Sequence, residues 1–343
     1  MPRRRLPKHI RDALEELEPG FRRAFEEALG DIREQAELQA VIRAIEEGNI
    51  DRAIRALGIS AAVFAPLDDA IRAAQLRGGR DLMRRLPRIE DPETGGRAVL
   101  SFDGRADRAE RWAERASSRL ITEIVDDQRE MARQVIRQGI EAGQNPRNTA
   151  LDIVGRMDRS AGERRGGFIG LQSRQADAAL RARAELEALD SGYFRRELRD
   201  RRFDRTVAKA IREGEPLSRA DVERMTQRYR DRMLRHRGET IARTEALNSL
   251  RAGRQQGAEQ LVEEGVIQRD QVKIRWSATM DARTRDIHRD LDGQEVQLGD
   301  LFTSPTGARL AYPGDTEHGP FGEDVINCRC LGEVRIDFIS GAR

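Results

Sequence analysis

The most reactive side-chain types lie close together near the C-terminal end of the sequence. Cys328 and Cys330 are its only cysteines, and alternate residues of an extended backbone point to the same face. The two thiols therefore share one face, whereas Arg329 points to the other. A disulfide between residues two apart would close a tightly strained ring, so oxidation is not expected to stabilise the chain. Any chemistry of this pair is expected to be local.

A second group of polar residues precedes the cysteines in the segment DARTRDIHRDLDG, residues 281–293. Asp281 is a favourable N-cap and Gly293 is favourable just after a last turn, so the segment predicts a helix over 281–292. One face of that helix, at three- and four-residue spacing, is formed by Asp281, Thr284, Arg285 and His288. On this spacing we predict an ion pair between Asp281 and Arg285.

Strand patterning appears on both sides of these polar residues. The segment VKIRWSA, residues 272–278, alternates apolar with polar residues, which predicts a strand that places Trp276 in the core. Two short segments and a loop rich in proline and glycine follow it. The segment Val325–Ile336 then predicts a final strand or hairpin that carries the cysteines.

The segment Glu239–Glu264 predicts one helix with an unusual stripe of small residues. The residues of the stripe are Ala242, Ala246, Leu250, Gly253, Gly257 and Leu261. A glycine inside a helix costs about 1 kcal/mol relative to alanine, so close packing or a functional contact is expected along the stripe. Other faces carry a polar group, which forms either a buried network or a solvated surface: Arg243, Thr244, Glu245 and Asn248.

The N-terminal part of the chain is predicted to be helical. Apolar residues recur at three- and four-residue steps from Ile10 to about Leu86. Glycines are predicted to divide this region into short helices at Gly20, Gly30, Gly48 and Gly58. Residues 87–104 contain two prolines and two adjacent glycines, which predicts a loop or small hairpin. Residues 107–138 contain neither proline nor glycine and predict one long helix.

The overall charge does not indicate a globally basic nucleic-acid-binding protein, because 62 basic and 60 acidic side chains leave a net charge of +2. Residues 194–254 hold 18 basic and 10 acidic side chains, a net of +8, whereas residues 271–343 hold 9 and 12, a net of −3. The basic segment predicts either DNA contact or a solvated or protein-binding face, with few aromatic residues for base stacking. The candidate DNA contacts are Arg195, Arg196, Arg199, Arg201, Arg202 and Arg205. The sequence contains neither a membrane-spanning apolar stretch nor a signal-peptide pattern, and a cytosolic protein is expected.

Four sequence pieces in a fixed order resemble a known family. They are IARTEALNSLRAGRQQG, then WSATMDARTRDIHRDLDG, then the proline- and glycine-rich stretch, then EDVINCRC. Together, over about 239–336, they resemble the C-terminal domain of phage Mu F-like minor head proteins, also described as phage head morphogenesis proteins. The residues at these motif positions are Arg243, Thr244, Glu245, Asn248, Trp276, Asp281, Arg283, Thr284, Arg285, His288, Asp292, Gly293, Asn327, Cys328, Arg329 and Cys330.

The resemblance implies a minor structural component of the head of a tailed phage or prophage, without an established catalytic activity. Such a protein is expected in the head interior near the portal, after assembly in the cytoplasm of the bacterial host. The partners that it implies are the portal protein, the major capsid or scaffolding protein, and packaged double-stranded DNA. No membrane is expected to take part in assembly.

In the cysteine-rich form of the family pattern the resemblance implies a four-ligand zinc site. This sequence departs from that form, so no cofactor is predicted and a structural zinc is kept as the alternative. Family members often carry Cys-x-x-Cys where this chain has Arg285–His288, and His-Pro-Asn-Cys-Arg-Cys where it has Val325–Cys330. The candidate ligands of a structural zinc that remain in this sequence are His288, Cys328 and Cys330, with Glu323 or His318 as the fourth. The alternative is a hydrogen-bond network of His288 with Glu323 or Asn327, in which the cysteines pack as small apolar groups.

The sequence leaves two alternatives to a head protein. One is a DNA-binding packaging or ejection factor that uses the basic segment, and the other is an enzyme, either a metal-dependent hydrolase or a fused toxin domain. No nucleophile elbow, phosphate-binding glycine loop or metalloprotease helix motif is present. The short tail after Cys330 was expected to leave no room for a C-terminal toxin. A protein without enzymatic activity is therefore predicted.

The predicted fold class is a mainly α N-terminal region with a small C-terminal α+β domain. The predicted divisions are an N-terminal helical region over 1–100, a helical domain over 101–193, a basic helical segment over 194–270, and the α+β domain over 271–343. In this interpretation the striped helix packs on the short sheet.

Overall fold

A computed structural model describes residues 5–87 and 99–337. Its α-helices are α1 (Lys8–Gln35), α2 (Leu38–Glu46), α3 (Ile50–Ala56), α4 (Ala65–Arg85), α5 (Asp107–Glu141), α6 (Pro146–Val154), α7 (Ser173–Glu187), α8 (Asp204–Glu213), α9 (Arg219–Glu263), α10 (Asp286–Leu291) and α11 (Gly322–Val325). Its strands are β1 (Arg156–Asp158), β2 (Glu163–Arg165), β3 (Val272–Ser277), β4 (Glu295–Gln297), β5 (Phe302–Thr303), β6 (Arg309–Leu310) and β7 (Leu331–Ile336). The mainly helical fold class with a small C-terminal α+β part is confirmed.

The chain divides into two units, and neither is continuous in sequence. Unit 1 holds Met1–Ala24, Pro66–Arg119 and Thr240–Arg343, and unit 2 holds Phe25–Ala65 and Leu120–Glu239, so far as these residues are described. The divisions near residues 100, 193 and 270 remain predictions about sequence segments. Unit 1 contains the sheet and the cysteines, and unit 2 contains the basic segment up to residue 239.

The predicted breaks at Gly20 and Gly30 are wrong, because α1 passes through both glycines and through Pro19. Phe21 and Leu29 on its apolar face are each 1% exposed. Burial of such side chains contributes about 2 kcal/mol each, which exceeds the cost of an interior glycine. The other two glycines, Gly48 and Gly58, do follow helix ends and adopt left-handed φ values of 69° and 67°.

The helix that is predicted to span residues 107–138 is confirmed as α5. The predicted loop or hairpin over 87–104 lies mostly outside the described residues, since residues 88–98 are not described. In the part that is described, Phe102 is buried and Gly104 lies in a turn.

Unit 2 includes a short antiparallel hairpin, β1 with β2, that the sequence pattern does not predict. Each strand has three mostly polar residues, so the apolar alternation that reveals a strand is absent. After the hairpin, Arg237 of α9 donates to the carbonyl oxygen of Gly170 at 2.9 Å and to Asp127 at 2.9 Å. Burial lowers the pKa of Arg237 to about 10. These contacts hold the loop after the hairpin against the helices of unit 2.

Unit 1 is built around a three-stranded antiparallel sheet in the order β4–β3–β7. The central strand β3 confirms the strand prediction, and its residues alternate between buried and more exposed positions. The apolar residues that share its core are Leu82, Met83, Phe102, Ala109, Ala258, Leu261, Ile267, Val272, Ile274, Trp276, Ala278, Leu291, Leu298, Phe302, Leu310, Val325, Cys328 and Cys330. Helix α4 and residues 99–109 therefore complete the core of the C-terminal sheet.

The small-residue stripe of α9 is confirmed as a close-packing surface, but its glycines face α4. A Cβ placed on Gly253 would lie 1.9 Å from the carbonyl oxygen of Gln75, and one on Gly78 would lie 2.0 Å from that of Leu250. The two backbones therefore touch at a crossing where only glycine fits. Farther along α9, Ala258 and Leu261 reach the core that includes the sheet residues, as the sequence interpretation expected.

The predicted helix over 281–292 is shorter than expected, because α10 begins only at Asp286. Residues 281–284 form a turn instead, in which Asp281 accepts a hydrogen bond from the backbone N–H of Arg283 at 2.9 Å. Aspartate favours such local turns over helix interiors. The predicted end of the helix is confirmed, since Gly293 follows with φ 86°.

The predicted final strand is also shorter than 325–336, since β7 covers only Leu331–Ile336 and the cysteines precede it. None of the described helices combines the length and the apolar character that a bilayer crossing requires.

Candidate functional site

The two cysteines and His288 form a buried cluster in unit 1. The Sγ atoms of Cys328 and Cys330 and a ring nitrogen of His288 lie within 4.8 Å of one another. Each of the three residues is at most 3% exposed. His288 comes from α10, and both cysteines come from the segment just before β7, so the cluster joins two separate parts of the chain. The prediction that the thiols share a face agrees with this arrangement.

Aromatic packing fixes the position of the imidazole ring. Trp276, fully buried on β3, has its ring centroid 5.9 Å from that of His288 and 5.2 Å from that of Phe302. The contact with Phe302 is edge to face, the arrangement that aromatic quadrupoles favour. The placement of Trp276 in the core is confirmed.

A hydrogen bond fixes the orientation of the same ring. Nε2 of His288 lies 3.0 Å from the carbonyl oxygen of Asp324, which assigns the N–H to Nε2 and leaves Nδ1 with a lone pair. Asp324 is itself held, because its carboxylate accepts from the Ser304 hydroxyl at 2.7 Å. Metal-binding histidines commonly donate their second ring nitrogen to a carbonyl in this way. The predicted hydrogen-bond partners Glu323 and Asn327 are replaced by Asp324.

A buried arginine supports the cysteine pair. Arg251 of α9 is 3% exposed and donates to the carbonyl oxygens of both Cys328, at 3.0 Å, and Cys330. A hydrogen bond from the Cys330 thiol, followed by the nearby positive charge of Arg251, lowers the pKa of Cys328 well below its usual value. The same hydrogen bond and burial raise the pKa of Cys330. Of the two thiols, Cys328 is therefore the one that loses its proton more readily, beside the guanidinium group of Arg251.

The cluster offers three of the four donors of a tetrahedral zinc site. Two thiol sulfurs and one imidazole nitrogen are ligands that zinc prefers. Glu323 is exposed and is not part of the cluster, and His318 is 2.6 Å from Asp315 instead. Within residues 5–87 and 99–337 the cluster therefore provides three zinc donors. A fourth ligand would have to come from a group outside the cluster.

A small cleft of about 200 Å³ opens beside the cluster. The cleft is lined by Arg243, Thr279, Arg283, Thr284, Arg285, His288, Asn327, Arg329 and Cys330. Eight of these nine residues belong to the predicted motif, and two of them, His288 and Cys330, also belong to the cluster. The structure therefore brings half of the sixteen motif positions together around one surface.

The predicted ion pair between Asp281 and Arg285 is wrong. Both carboxylate oxygens of Asp281 accept from Arg329, each at 2.6 Å, and this lowers the pKa of Asp281 below its usual range. Arg285 donates to the carbonyl oxygen of Ile326 at 2.9 Å. The four-residue spacing is not helical here, because the turn at 281–284 precedes α10, so Asp281 faces the Cys-Arg-Cys segment.

The remaining motif residues mainly hold backbone segments in place. Thr244 accepts from the backbone N–H of Asn327 at 3.1 Å, and Asn327 adopts φ 55°. Asp292 accepts from the backbone N–H of Ala278 at 2.9 Å. The backbone N–H of Gly293 donates to the backbone carbonyl oxygen of Trp276 at 2.8 Å. The loop before α10, the end of that helix and the Cys-Arg-Cys segment are thereby tied to α9 and β3.

Two motif residues of α9 lie deeper and away from the cleft. Glu245 is 6% exposed, with a carboxylate oxygen 3.6 Å from Arg119, and Asn248 is 1% exposed. The polar group of α9 is therefore divided, since Arg243 is exposed at the cleft and Glu245 and Asn248 are buried.

Sequence reasoning missed two residues that matter most for the cluster, Arg251 and Asp324. Arg251 lies eight residues after Arg243, which places both on a similar face of α9, and this spacing was a usable signal. Asp324 accepts the hydrogen bond of His288 through its backbone carbonyl oxygen. Every residue has such an oxygen, so no sequence pattern predicts this contact.

Half of the candidate DNA-contacting arginines are engaged within unit 2. Arg196 donates to both carboxylate oxygens of Glu185, at 2.6 and 2.7 Å. Arg199 forms the same type of pair with Asp204, and Arg202 does so with Asp200, which lowers the pKa of Asp200 to about 2. The exposed arginines of the set are Arg195, Arg201, Arg202 and Arg205. These ion pairs indicate that the arginines stabilise local structure, and they do not support a continuous phosphate-binding surface.

Comparison with known proteins gives a match over the same part of the chain. The family described as Phage Mu protein F like protein matches residues 201–332. Minor head protein GP7 of Bacillus phage SPP1 is 33% identical over 124 residues, which are 36% of this chain and 37% of that protein. NAD(+)--arginine ADP-ribosyltransferase EFV of Enterococcus faecalis is 38% identical over 104 residues, 29% of this chain but 19% of that protein. No solved structure gives a significant match.

The chain thus spans well under half the length of either relative. The family match covers α9, the sheet strands β3 and β4, the His288–Cys328–Cys330 cluster and the cleft. The motif predicted from residue order and the matched region agree in position. Residues 201–332 of the chain therefore carry the pattern of the Phage Mu protein F like family.

Proposed function

We propose that the chain is a minor head protein that acts in the assembly of the head of a tailed phage or prophage. The observation that carries this proposal is the family match over residues 201–332, together with the similarity to Minor head protein GP7. The proposed partners are the portal protein and the major capsid or scaffolding protein, and the proposed location is the head interior near the portal.

The geometry of unit 1 supports a binding role. The cluster, Arg251 and the Asp281–Arg329 pair hold three loop segments in one arrangement, and exposed arginines project beside them. Rigid elements that present charged side chains are suited to recognition of a partner protein. Arg196, Arg199 and Arg202 are paired with carboxylates of the chain itself, so they give less support to the alternative function of DNA binding.

Head assembly in a host whose prophage encodes the chain tests this proposal. Deletion of its gene is expected to reduce the yield of complete heads, and the parent gene supplied in trans should restore it. A double variant, Arg283→Gln with Arg285→Gln, should restore it less well, because both residues face the cleft. Arg289→Gln is the matched control, since Arg289 is exposed on α10 and pairs with Asp286. Normal heads from the deletion strain would contradict the proposal.

We also propose that His288, Cys328 and Cys330 hold a structural zinc ion. Bound there, the ion would supply a cross-link between α10 and the segment before β7 and would balance the thiolate charge. The chain's own residues already orient the imidazole through Asp324 and Trp276, which is the arrangement that a ligand needs.

Metal content and thermal stability test the zinc proposal together. Purified protein should contain one zinc per chain and should melt at a lower temperature after treatment with a chelator. Cys328→Ser should lose the metal, whereas His318→Ala should keep it, because His318 lies outside the cluster. A parent protein that contains no metal after purification and reconstitution with zinc, and whose melting temperature a chelator leaves unchanged, would overturn this proposal.

We propose that the chain itself is not an enzyme. The relative named as an ADP-ribosyltransferase is matched over 19% of its length, so the similarity does not extend to most of that protein. Consumption of NAD by the purified chain, measured with arginine as acceptor, should equal that of buffer alone. Turnover above that level would contradict the proposal.

A further inference from the structure

The cleft beside the cysteine cluster is rich in positive charge that the chain does not neutralise. Four arginine residues line it: Arg243, Arg283, Arg285 and Arg329. Of these, Arg329 is paired with both oxygens of Asp281. Within the described ranges, the other three form no ion pair with a carboxylate, and Arg285 has a carbonyl oxygen as its partner. The cleft therefore holds about three unneutralised charges around 200 Å³.

The other polar groups of the cleft are also suited to oxygen ligands. The Thr284 hydroxyl in the wall is engaged by Asp281, whereas the Thr279 hydroxyl, 3.4 Å from it, can donate a hydrogen bond to a ligand. The side-chain oxygen of Asn327 is buried and has no hydrogen-bond partner within the described residues. Oxygen and nitrogen of an amide are interchangeable on rotation, so the same position can present an N–H₂ group. Asn327 is held there by its left-handed backbone and by Thr244.

We propose that this cleft is a binding site for a phosphate group. Guanidinium groups bind phosphate oxygens through paired, charge-assisted hydrogen bonds. A phosphate monoester carries a charge between about −1.5 and −2 at neutral pH, which matches three free guanidinium groups better than one carboxylate does. The volume admits a single phosphate group together with a small part of the molecule that bears it.

The proposal goes beyond the role in head assembly, because it concerns binding by the isolated chain. The phosphate group has three plausible sources: free inorganic phosphate, the 5′-phosphate of a nucleotide, and the backbone of DNA. The chemistry of recognition is shared, and the three sources are separated by their size and by the esterification of the phosphate.

Calorimetric titration of the full chain tests the proposal with inorganic phosphate, adenosine monophosphate and a short DNA duplex, with acetate as the carboxylate control. Phosphate should bind more tightly than acetate at matched ionic strength. The double variant Arg243→Gln with Arg283→Gln should weaken phosphate binding about tenfold or more, since charge-assisted hydrogen bonds are lost. Arg289→Gln should leave it unchanged. Both altered residues are exposed, and circular dichroism checks that the variant is folded.

The same variant identifies the source. Adenosine monophosphate that binds more tightly than phosphate, and loses this affinity in the double variant, indicates a nucleotide. Duplex binding that is lost in the double variant indicates DNA. Absence of phosphate binding by the parent, or equal phosphate affinity of the parent and the double variant, overturns the proposal. The titration does not measure head assembly, so neither result supports or contradicts the proposed function, which the gene deletion tests.

Discussion

At the scale of single residues, unit 1 balances buried charge with hydrogen bonds to backbone carbonyls. Arg251 is buried beside the thiol pair, and Arg254 is 7% exposed against Asp81, which is 4% exposed. An isolated charge would be very costly at such positions, whereas a charge with several partners is tolerated. Arg251 also donates hydrogen bonds to the carbonyl groups of Cys328 and Cys330.

Replacement of Arg251 by methionine should therefore destabilise the chain. The carbonyl groups of Cys328 and Cys330 would lose their charged donor, and the expected loss in the free energy of unfolding is about 3 kcal/mol. Denaturant titration measures it. Arg289→Met, an exposed change on α10, should shift the same quantity by less than about 0.5 kcal/mol. Equal stability of the two variants would contradict the stabilising role of Arg251 beside Cys328 and Cys330.

The pair of Asp281 with Arg329 predicts a stability effect that depends on pH. The folded-state pKa of Asp281 is lowered, so its contribution is fully present above the unfolded pKa of about 3.9 and is lost as pH falls through the folded value. Asp281→Asn should lower the melting temperature at pH 7, with a cost of about 1 kcal/mol for this partly exposed pair. The difference from the parent should shrink below about pH 4.

Thermal melts of parent and variant across this pH range measure the effect. Asp286→Asn is the control, because Asp286 is 91% exposed and its ion pair with Arg289 contributes little. A difference between Asp281→Asn and the parent that stays constant from pH 7 to pH 3 would show that the carboxylate charge is not the cause.

At the scale of elements, the crossing of α4 and α9 decides how the sheet is supported. Gly253 and Gly78 let the two backbones touch, and the core residues that follow on both helices then reach β3. The glycines cost helix stability individually, and the packing that they permit offsets this cost.

Gly253→Ala and Gly257→Ala should therefore differ sharply. The new methyl group at Gly253 would lie 1.9 Å from a backbone oxygen, and the helices must move apart, which should cost about 2 to 3 kcal/mol. At Gly257 the nearest atom is a side-chain carbon of Leu82 at 3.2 Å, which can move. That variant should be near neutral, because the higher helix propensity of alanine offsets mild crowding. Similar melting temperatures for both variants would contradict a backbone crossing.

At the scale of the whole molecule, the region that carries the family pattern does not hold its complete core. Leu82, Met83 and Phe102 pack in the same cluster as the strand residues, although they precede the matched region by about a hundred residues. Unit 1 is consequently assembled from three separated segments of the chain.

A fragment of residues 239–337 is therefore expected to fold poorly. Loss of the apolar partners from α4 and residues 99–109 exposes the core face of the sheet, and small domains have little stability to spare. Its thermal melt by circular dichroism should lack a cooperative transition. Addition of residues 66–119 as a fused segment should restore a transition. Cooperative unfolding of the short fragment would show that the sheet and α9 suffice.

The sequence by itself determined the helical character of the chain, β3 with Trp276, the thiols on one face and the family pattern of residues 201–332, because these follow from periodicity and residue order. Only the tertiary structure decided that Asp281 pairs with Arg329, that Arg251 and Asp324 support the cluster, and that α4 covers the sheet. The physical reason is distance along the chain. A local pattern fixes which face a side chain occupies, whereas its partner is chosen by packing between segments that lie far apart in sequence.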